Sequence, residues 1–177
     1  MTVIKTAIWL IVIGCAAFVA FIYSGMYNVA ATVPHSAFGR WVFSTTMERS
    51  VESHAAGIVA PDNLKDPDMV KAGFKHYREN CLGCHGAPGM ERHEGPRNMT
   101  PEPPDLSKAA PEWSAAQLYW IVKNGVKMTA MPAWGPTHTD HQLWAIVAFL
   151  QKLPGMTPAQ FQQLNKEVPR EDQHRHD

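Results

Sequence analysis

Hydrophobic positions fall into distinct regimes along the chain. From Ala7 to Met26 (AIWLIVIGCAAFVAFIYSGM) they run almost uninterrupted, and no Asp, Glu, Lys or Arg occurs between Thr6 and Gly39. As a helix this run is about 30 Å long, the thickness of a bilayer's hydrocarbon core, so a single membrane-spanning helix is predicted. From Ser36 to Ala56 the pattern changes. Phe38, Trp41, Val42, Thr45, Val51 and Ala55 recur at helical steps among Arg40, Glu48, Arg49 and Glu52, which predicts an amphipathic helix. Such a helix reads first as a stalk packed on the membrane surface or on the domain, and second as a docking helix for a membrane partner.

After the turn-rich stretch APDNLKDP, capping signals mark three more helices. Asp66-Pro67-Asp68 supplies an N-cap, a proline at the first helical position and an acid at the positive end of the dipole. That helix should run to about Asn80, with Val70, Phe74 and Tyr77 on one side. Gly73 inside it costs about 1 kcal/mol relative to Ala, which implies close approach of another helix. Ser114 with Gln117, and Thr139 with Gln142, form capping boxes. The first opens SAAQLYWIVKNG, closed by Gly125 as a left-handed C-cap. The second opens TDHQLWAIVAFLQKLPG, where Leu143, Ile146, Val147 and Leu150 make an apolar stripe beside Trp144 and Phe149 and Pro154-Gly155 stops the helix. A short helix from Thr157 should then fray into a polar terminus that includes His174 and His176. No segment reads as a strand. The expected class is all-α, divided into an anchor (1–27), a linker with its amphipathic helix (28–65), a folded domain (66–155) and a tail (156–177).

Composition bounds the function. Without the anchor and linker, 177 residues leave one small domain. With 16 basic and 16 acidic residues the formal charge is zero, so there is no basic footprint for nucleic acid. Lys5 on the short side of the apolar run places the N-terminus in the cytoplasm and everything after Tyr27 outside, with Trp9, Tyr23 and Tyr27 at the interfaces. Two processed forms compete with the anchor: a signal peptide cut after VAA at 29–31, and a lipoprotein signal at Cys15. The run is longer than a usual signal region, and cleavage at Cys15 would leave AAFVAFIY behind, so the uncleaved anchor is the preferred expectation.

The chemistry lies in CLGCH, residues 81–85. Of three cysteines, Cys15 stands alone in the apolar run and no structural disulfide is expected. Cys81, Cys84 and His85 have the spacing of covalent c-type haem attachment, with His85 as proximal iron ligand. A redox or zinc CxxC would need further thiols, and the sequence has none outside the apolar run. The 86–112 loop carries six prolines and no helical period. A loop this long is unusual in a compact domain and becomes reasonable if it wraps a large prosthetic group. The proximal imidazole should donate its second N–H to a backbone carbonyl. Pro96 is the leading acceptor, with Pro88 and the Pro103-Pro104 pair as alternatives.

GFKHYRENCLGCHG, the PPDL-containing loop, NGVKMTAMPAWG and LWAIVAFLQKLPG together resemble a class I c-type cytochrome, closest to the mono-haem domains of membrane-bound oxidase cytochrome subunits. The likeness covers about Asp66 to Gly155; CxxCH and MPAW are its specific elements. It implies a small helical domain around one covalent haem c, attached on the outer face of a bacterial inner membrane. It also implies that the first and last helices cross at Gly73 and Tyr77, with Trp144 or Phe149 opposite. The family's sixth ligand lies between the last two long helices, which sets aside Met90, Met99 and Met156 and leaves Met128 and Met131. Pro132 pushes the residue before it into an extended conformation, and TAMPAW aligns with the family's ligand, so Met131 is preferred. Trp113, Trp120 and Trp134 are expected to line the haem pocket.

A filled His/Met pair leaves iron no open position and implies an electron carrier. The expected protein partners are a quinol-oxidising donor complex and a terminal oxidase or another membrane enzyme, with no small-molecule substrate. The alternatives are a peroxidase-like enzyme using His93, Glu94 or His138, and a sensor or structural subunit.

Overall fold

The structure, a computed structural model, describes residues 2–169, in two compact units that part between Pro34 and His35. In the first unit α1 (Thr2–Tyr23) is 22 residues long with a mean hydropathy of 2.3 and no buried residue, long and apolar enough to cross a membrane. It begins at Thr2 rather than Ala7, taking in Lys5, and stops where Ser24 turns back on it, its hydroxyl donating to the Phe21 carbonyl at 2.7 Å.

The second unit opens with α2 (Ala37–Ala55), N-capped by Ser36, whose hydroxyl accepts from Gly39 N–H. The expected single apolar stripe is not what forms. Val51 and Ala55 are buried, whereas Phe38 and Trp41 are exposed, because only the last turns of α2 reach the domain. There they pack on α7 (Ala115–Asn124), with the His54 ring 5.5 Å from that of Trp120. Chain order continues through α3 (Pro67–Asn80), the one-turn helices α4 (Leu82–His85), α5 (Glu94–Arg97) and α6 (Leu106–Ala109), a 3-10 turn at Ala110–Glu112, then α7, α8 (Asp140–Lys152) and α9 (Pro158–Glu167). Among the described residues there is no strand, only an isolated bridge between Ala87 and Met90.

The core is the crossing of α3 and α8. A Cβ on Gly73 would fall 1.8 Å from the Ala145 carbonyl oxygen and 3.0 Å from Phe149 Cβ, so the crossing exists because residue 73 has no side chain. The Phe149 ring meets Tyr77 at 4.9 Å and Phe74 at 5.4 Å. Of the two aromatics expected opposite Gly73, Phe149 takes the place. Trp144 instead stacks on Tyr119 at 4.2 Å and joins α8 to α7.

The core does not end at Gly155. In α9, capped by a Thr157–Gln160 box, Phe161 is wholly buried and its ring lies 5.2 Å from Phe74. Arg78, buried on α3, stacks over Phe74 and donates to Asn165 Oδ1 and to the carbonyls of Val168 and Pro169. A helical end whose last carbonyls meet a guanidinium is held there. His174 and His176 lie outside the described residues.

Candidate functional site

CLGCH continues α3 by one turn. Cys81 caps the end of α3, and its carbonyl accepts from both Cys84 N–H (3.1 Å) and His85 N–H (2.9 Å). Gly86 closes the turn at φ 69°, ψ −170°, a region open essentially to glycine alone. The buried Tyr77 hydroxyl donates to the Gly86 carbonyl at 2.5 Å. Thus the α3–α8 core, through Tyr77, fixes where the CLGCH turn ends.

None of the three cysteines is paired in a disulfide. Burial, with Cys84 close by as the lesser cause, pushes the Cys81 thiol up to about 12. A disulfide-exchange CxxC depends on the opposite shift, toward an accessible thiolate. Among the described residues no cluster of three His, Cys, Asp or Glu side chains could hold a metal ion, which leaves a zinc site without ligands.

His85 Nδ1 lies 2.8 Å from the Pro104 carbonyl oxygen. A carbonyl can only accept, so Nδ1 carries the proton and the neutral ring keeps its lone pair on Nε2, the nitrogen a metal would take. Burial lowers the His85 pKa, with the Pro104 bond opposing. The acceptor is therefore Pro104, not Pro96. Pro96 is buried within the one-turn α5, and the 86–112 loop folds so that its PPDL end, not EGPRN, meets the imidazole. That end is braced: Arg92 donates to the Pro103 carbonyl and pairs with Glu102 at 2.7 Å. Asp105 caps α6 by accepting from Ser107, a bond that holds its carboxyl below the usual range. His85, Arg92, Arg97, Asp105 and Ser107 share the lining of a cavity of about 570 Å³.

NGVKMTAMPAWG folds back on the end of α7. Gly125 ends the helix with positive φ, 66°, but its ψ is −171° rather than the left-handed value expected. A Cβ there would lie 2.7 Å from the Met131 oxygen and from the Pro132 carbonyl carbon. Gly135 is pinned likewise, its N–H donating to the Lys123 carbonyl at 2.9 Å. Between them Met131 is fixed at both backbone ends: its carbonyl accepts from Val126 N–H (3.3 Å) and its N–H donates to Thr129 Oγ1 (3.1 Å). Met131 is half-buried, whereas Met128, at φ 62° on a turn closed by Thr129 N–H to Val126 O, is 84% exposed.

Of the tryptophans, Trp113 and Trp134 are half-buried against the core, Trp134 edge-on to His138 at 5.3 Å. The ring contact of Trp120 is with His54 of α2. The His93 ring lies over Gly83 in the attachment turn, within 3.1 Å of where a Cβ would stand.

Residues 68–150 match the family model for cytochrome c oxidase, cbb3-type, subunit III. These residues form a class I c-type cytochrome domain. No curated protein matches the chain. The cytochrome domain so defined contains CLGCH, the 86–112 loop and the Met131 loop, while α1, α2 and α9 lie outside the match. Its family membership carries haem binding and electron transfer. The residues present fit that group by their chemistry: two free thiols on one turn, an imidazole with its second nitrogen already committed, and a methionine on a pinned loop. Arg92 and Gly125 are the site residues that sequence reasoning missed in these roles. Arg92 had no signal, being one polar residue in an aperiodic loop. Gly125 was visible only as a helix stop.

Proposed function

We propose that the protein is a membrane-anchored, mono-haem electron carrier of the outer face of a bacterial inner membrane, and not itself an enzyme. The observation that carries this reading is the Nδ1–Pro104 bond of His85, which commits one ring nitrogen to the backbone and reserves the other for iron. Cys81 and Cys84 would hold one haem through thioether bonds, His85 Nε2 and Met131 would ligate its iron, and Trp134 and Trp120 would border it. Bound there, the haem supplies one-electron redox chemistry at iron.

The chain's own residues set the terms of that chemistry. Thioether sulfur favours the ferrous state, and a His/Met pair raises the potential above that of two nitrogens. Pro104 holds the His85 ring in one tautomer. Gly125 and Thr129 hold the Met131 backbone, so a Met131 thioether ligating the iron would come from a fixed loop. A peroxidase-like reading needs an open sixth position with an acid or base over it. Of its candidates, the His138 ring packs against Trp134 and His76, and His93 covers Gly83.

Lys5 on the short side of α1 sets the orientation by the positive-inside rule. Tethering then raises the carrier's effective concentration near membrane partners, a quinol-oxidising donor and a terminal oxidase or similar acceptor. Absorption spectroscopy of the purified full chain tests the carrier reading. A low-spin ferric haem with the weak sulfur-to-iron band, inert to carbon monoxide when reduced, is expected. A high-spin ferric form that binds cyanide readily as isolated would contradict it.

A further inference from the structure

The second unit leaves an unexplained apolar end. Among its described residues, large apolar side chains stand exposed only at Phe38, Trp41, Phe43, Val59 and Met128. Val59 and Met128 are single positions of a kind any surface tolerates. Phe38, Trp41 and Phe43 are instead concentrated in the first turns of α2, at 71%, 62% and 51% exposure. Each aromatic side chain carries on the order of 150–250 Å², so at these exposures the three leave roughly 300–450 Å² open, the range of the largest and often functional apolar area of a monomer.

The patch does not belong to the domain's own packing. Around the α2 axis, at 100° per residue, Phe38 stands about 140° from Val51, and Trp41 and Phe43 about 80° to either side of it. Val51 is wholly buried, so the aromatics surround the helix end away from the face that docks on the domain. Phe38 and Trp41 contact each other, with ring centroids at 5.8 Å, while Phe43 meets His35 of the N-terminal flank at 5.3 Å. Arg40, exposed beside them, donates to the His35 carbonyl and so sits at the helix start.

Continuity with α1 identifies the occupant. The charge-free stretch that begins at Thr6 runs through α1 and the connector to Gly39 and ends inside this patch. Residues 24–36 connect α1 to α2 and span at most about 45 Å when extended, so α2 begins within reach of the membrane surface. Trp41, whose indole N–H is a polar tip, between two phenylalanines and beside Arg40, is the chemistry of a helix end that settles at the headgroup level. We infer that the first turns of α2 insert Phe38, Trp41 and Phe43 into the headgroup interface of the bilayer that α1 crosses. This gives the cytochrome domain a second membrane contact that limits its rotation about the tether. The inference rests on the anchor reading of α1.

Spin-label accessibility on the full haem-loaded chain, in vesicles of phosphatidylethanolamine and phosphatidylglycerol, separates the two. Native Cys15 lies in α1 and is exposed, so a label there reports the anchor. In a Cys15→Ser background, labels at Trp41→Cys and at Ser53→Cys, an exposed position on the same helix, report the inference and its aqueous reference. Expected are labels at 15 and 41 that collide preferentially with oxygen, the label at 41 several-fold more so than that at 53, and a loss of that preference at 41 in Phe38→Ser/Phe43→Ser. Oxygen-dominated collisions at 15 with water-like collisions at 41 would overturn the inference and leave the anchor standing. Water-like behaviour at 15 would overturn both. A label at 41 shielded from oxygen and from a water-soluble relaxant alike would mean a protein partner covers the patch, which also overturns it.

Discussion

Gly125 lies directly against the backbone of Met131: a Cβ on residue 125 would come 2.7 Å from the Met131 carbonyl oxygen. The glycine that ends α7 therefore also sets how closely the Met131 loop packs on the helix end.

Gly125→Ala should then act on both stability and ligation. At φ 66° any side chain is strained, and the clash with Met131, Pro132 and Ala133 adds to that. A loss on the order of 2–4 kcal/mol is expected, read by chemical denaturation. The sulfur-to-iron band should weaken at denaturant concentrations where helical circular dichroism is still intact, since the loop must lift before the core opens.

Met128 gives the matched control. It occupies a positive-φ turn position, 62°, with its side chain in solvent. Met128→Gly relieves about 1–2 kcal/mol of backbone strain and adds about 0.5–1 kcal/mol of unfolded-state entropy, so stability should stay level or rise by up to about 1.5 kcal/mol. The ferric spectrum and the potential should be unchanged. A shifted potential would assign Met128 a part in ligation that its exposure denies.

Arg92 braces the proximal side. It holds the Pro103 carbonyl, one residue before the acceptor of the His85 proton. Arg92→Ala should cost about 1.5–3 kcal/mol, the range for charge-assisted bonds. It should also speed hydrogen exchange of the His85 Nδ1 proton, followed by proton NMR of the ferrous protein. Unaltered exchange with lowered stability would make Arg92 a general fold residue only.

The loop's far end is tied by a triad joining α7 to α8. The Tyr119 hydroxyl donates to Asp140 Oδ1 at 2.6 Å, and Lys123 Nζ donates to that hydroxyl and to the carboxylate at 3.0 and 2.8 Å. Lys123 first, then Tyr119, holds the Asp140 carboxyl below its ordinary value, and Asp140 first raises the Lys123 ammonium. A depressed carboxylate stabilises the fold above its unfolded pKa and loses that contribution as pH falls through the folded value. The raised lysine does so below its unfolded pKa and loses it as pH rises through the folded value. Asp140→Asn should therefore lower Tm at neutral pH, and the gap to wild type should close on both acidification below the carboxylate range and strong alkalinisation. A pH-independent gap would mean packing, not charge, joins the helices here.

Much of this was legible in the chain, because local rules and tertiary demands coincide at particular residues. Capping boxes at Ser114 and Thr139 form as their spacing requires, and Gly73, a poor helix residue, sits where only a glycine lets Ala145 approach. What was not legible depends on contacts distant in sequence. Which carbonyl meets His85 is decided by how an aperiodic, proline-rich loop closes, so Pro96 and Pro104 could not be told apart locally. Phe161 is a lone aromatic in a polar segment with no stripe to announce it, yet it completes the core against Phe74. The apolar positions of α2 have helical spacing, but spacing does not say that only its last turns have a domain to bury against.

The decisive measurement is the ferric spectrum and reduction potential of Met131→Ala beside wild type and Met128→Ala. With His85 and Met131 as the axial pair, Met131→Ala should lose the sulfur-to-iron band, fall in potential and bind cyanide or carbon monoxide, while Met128→Ala should match wild type. A Met131→Ala protein that keeps the band and the wild-type potential would contradict the assignment of Met131 and the closed iron site that follows from it.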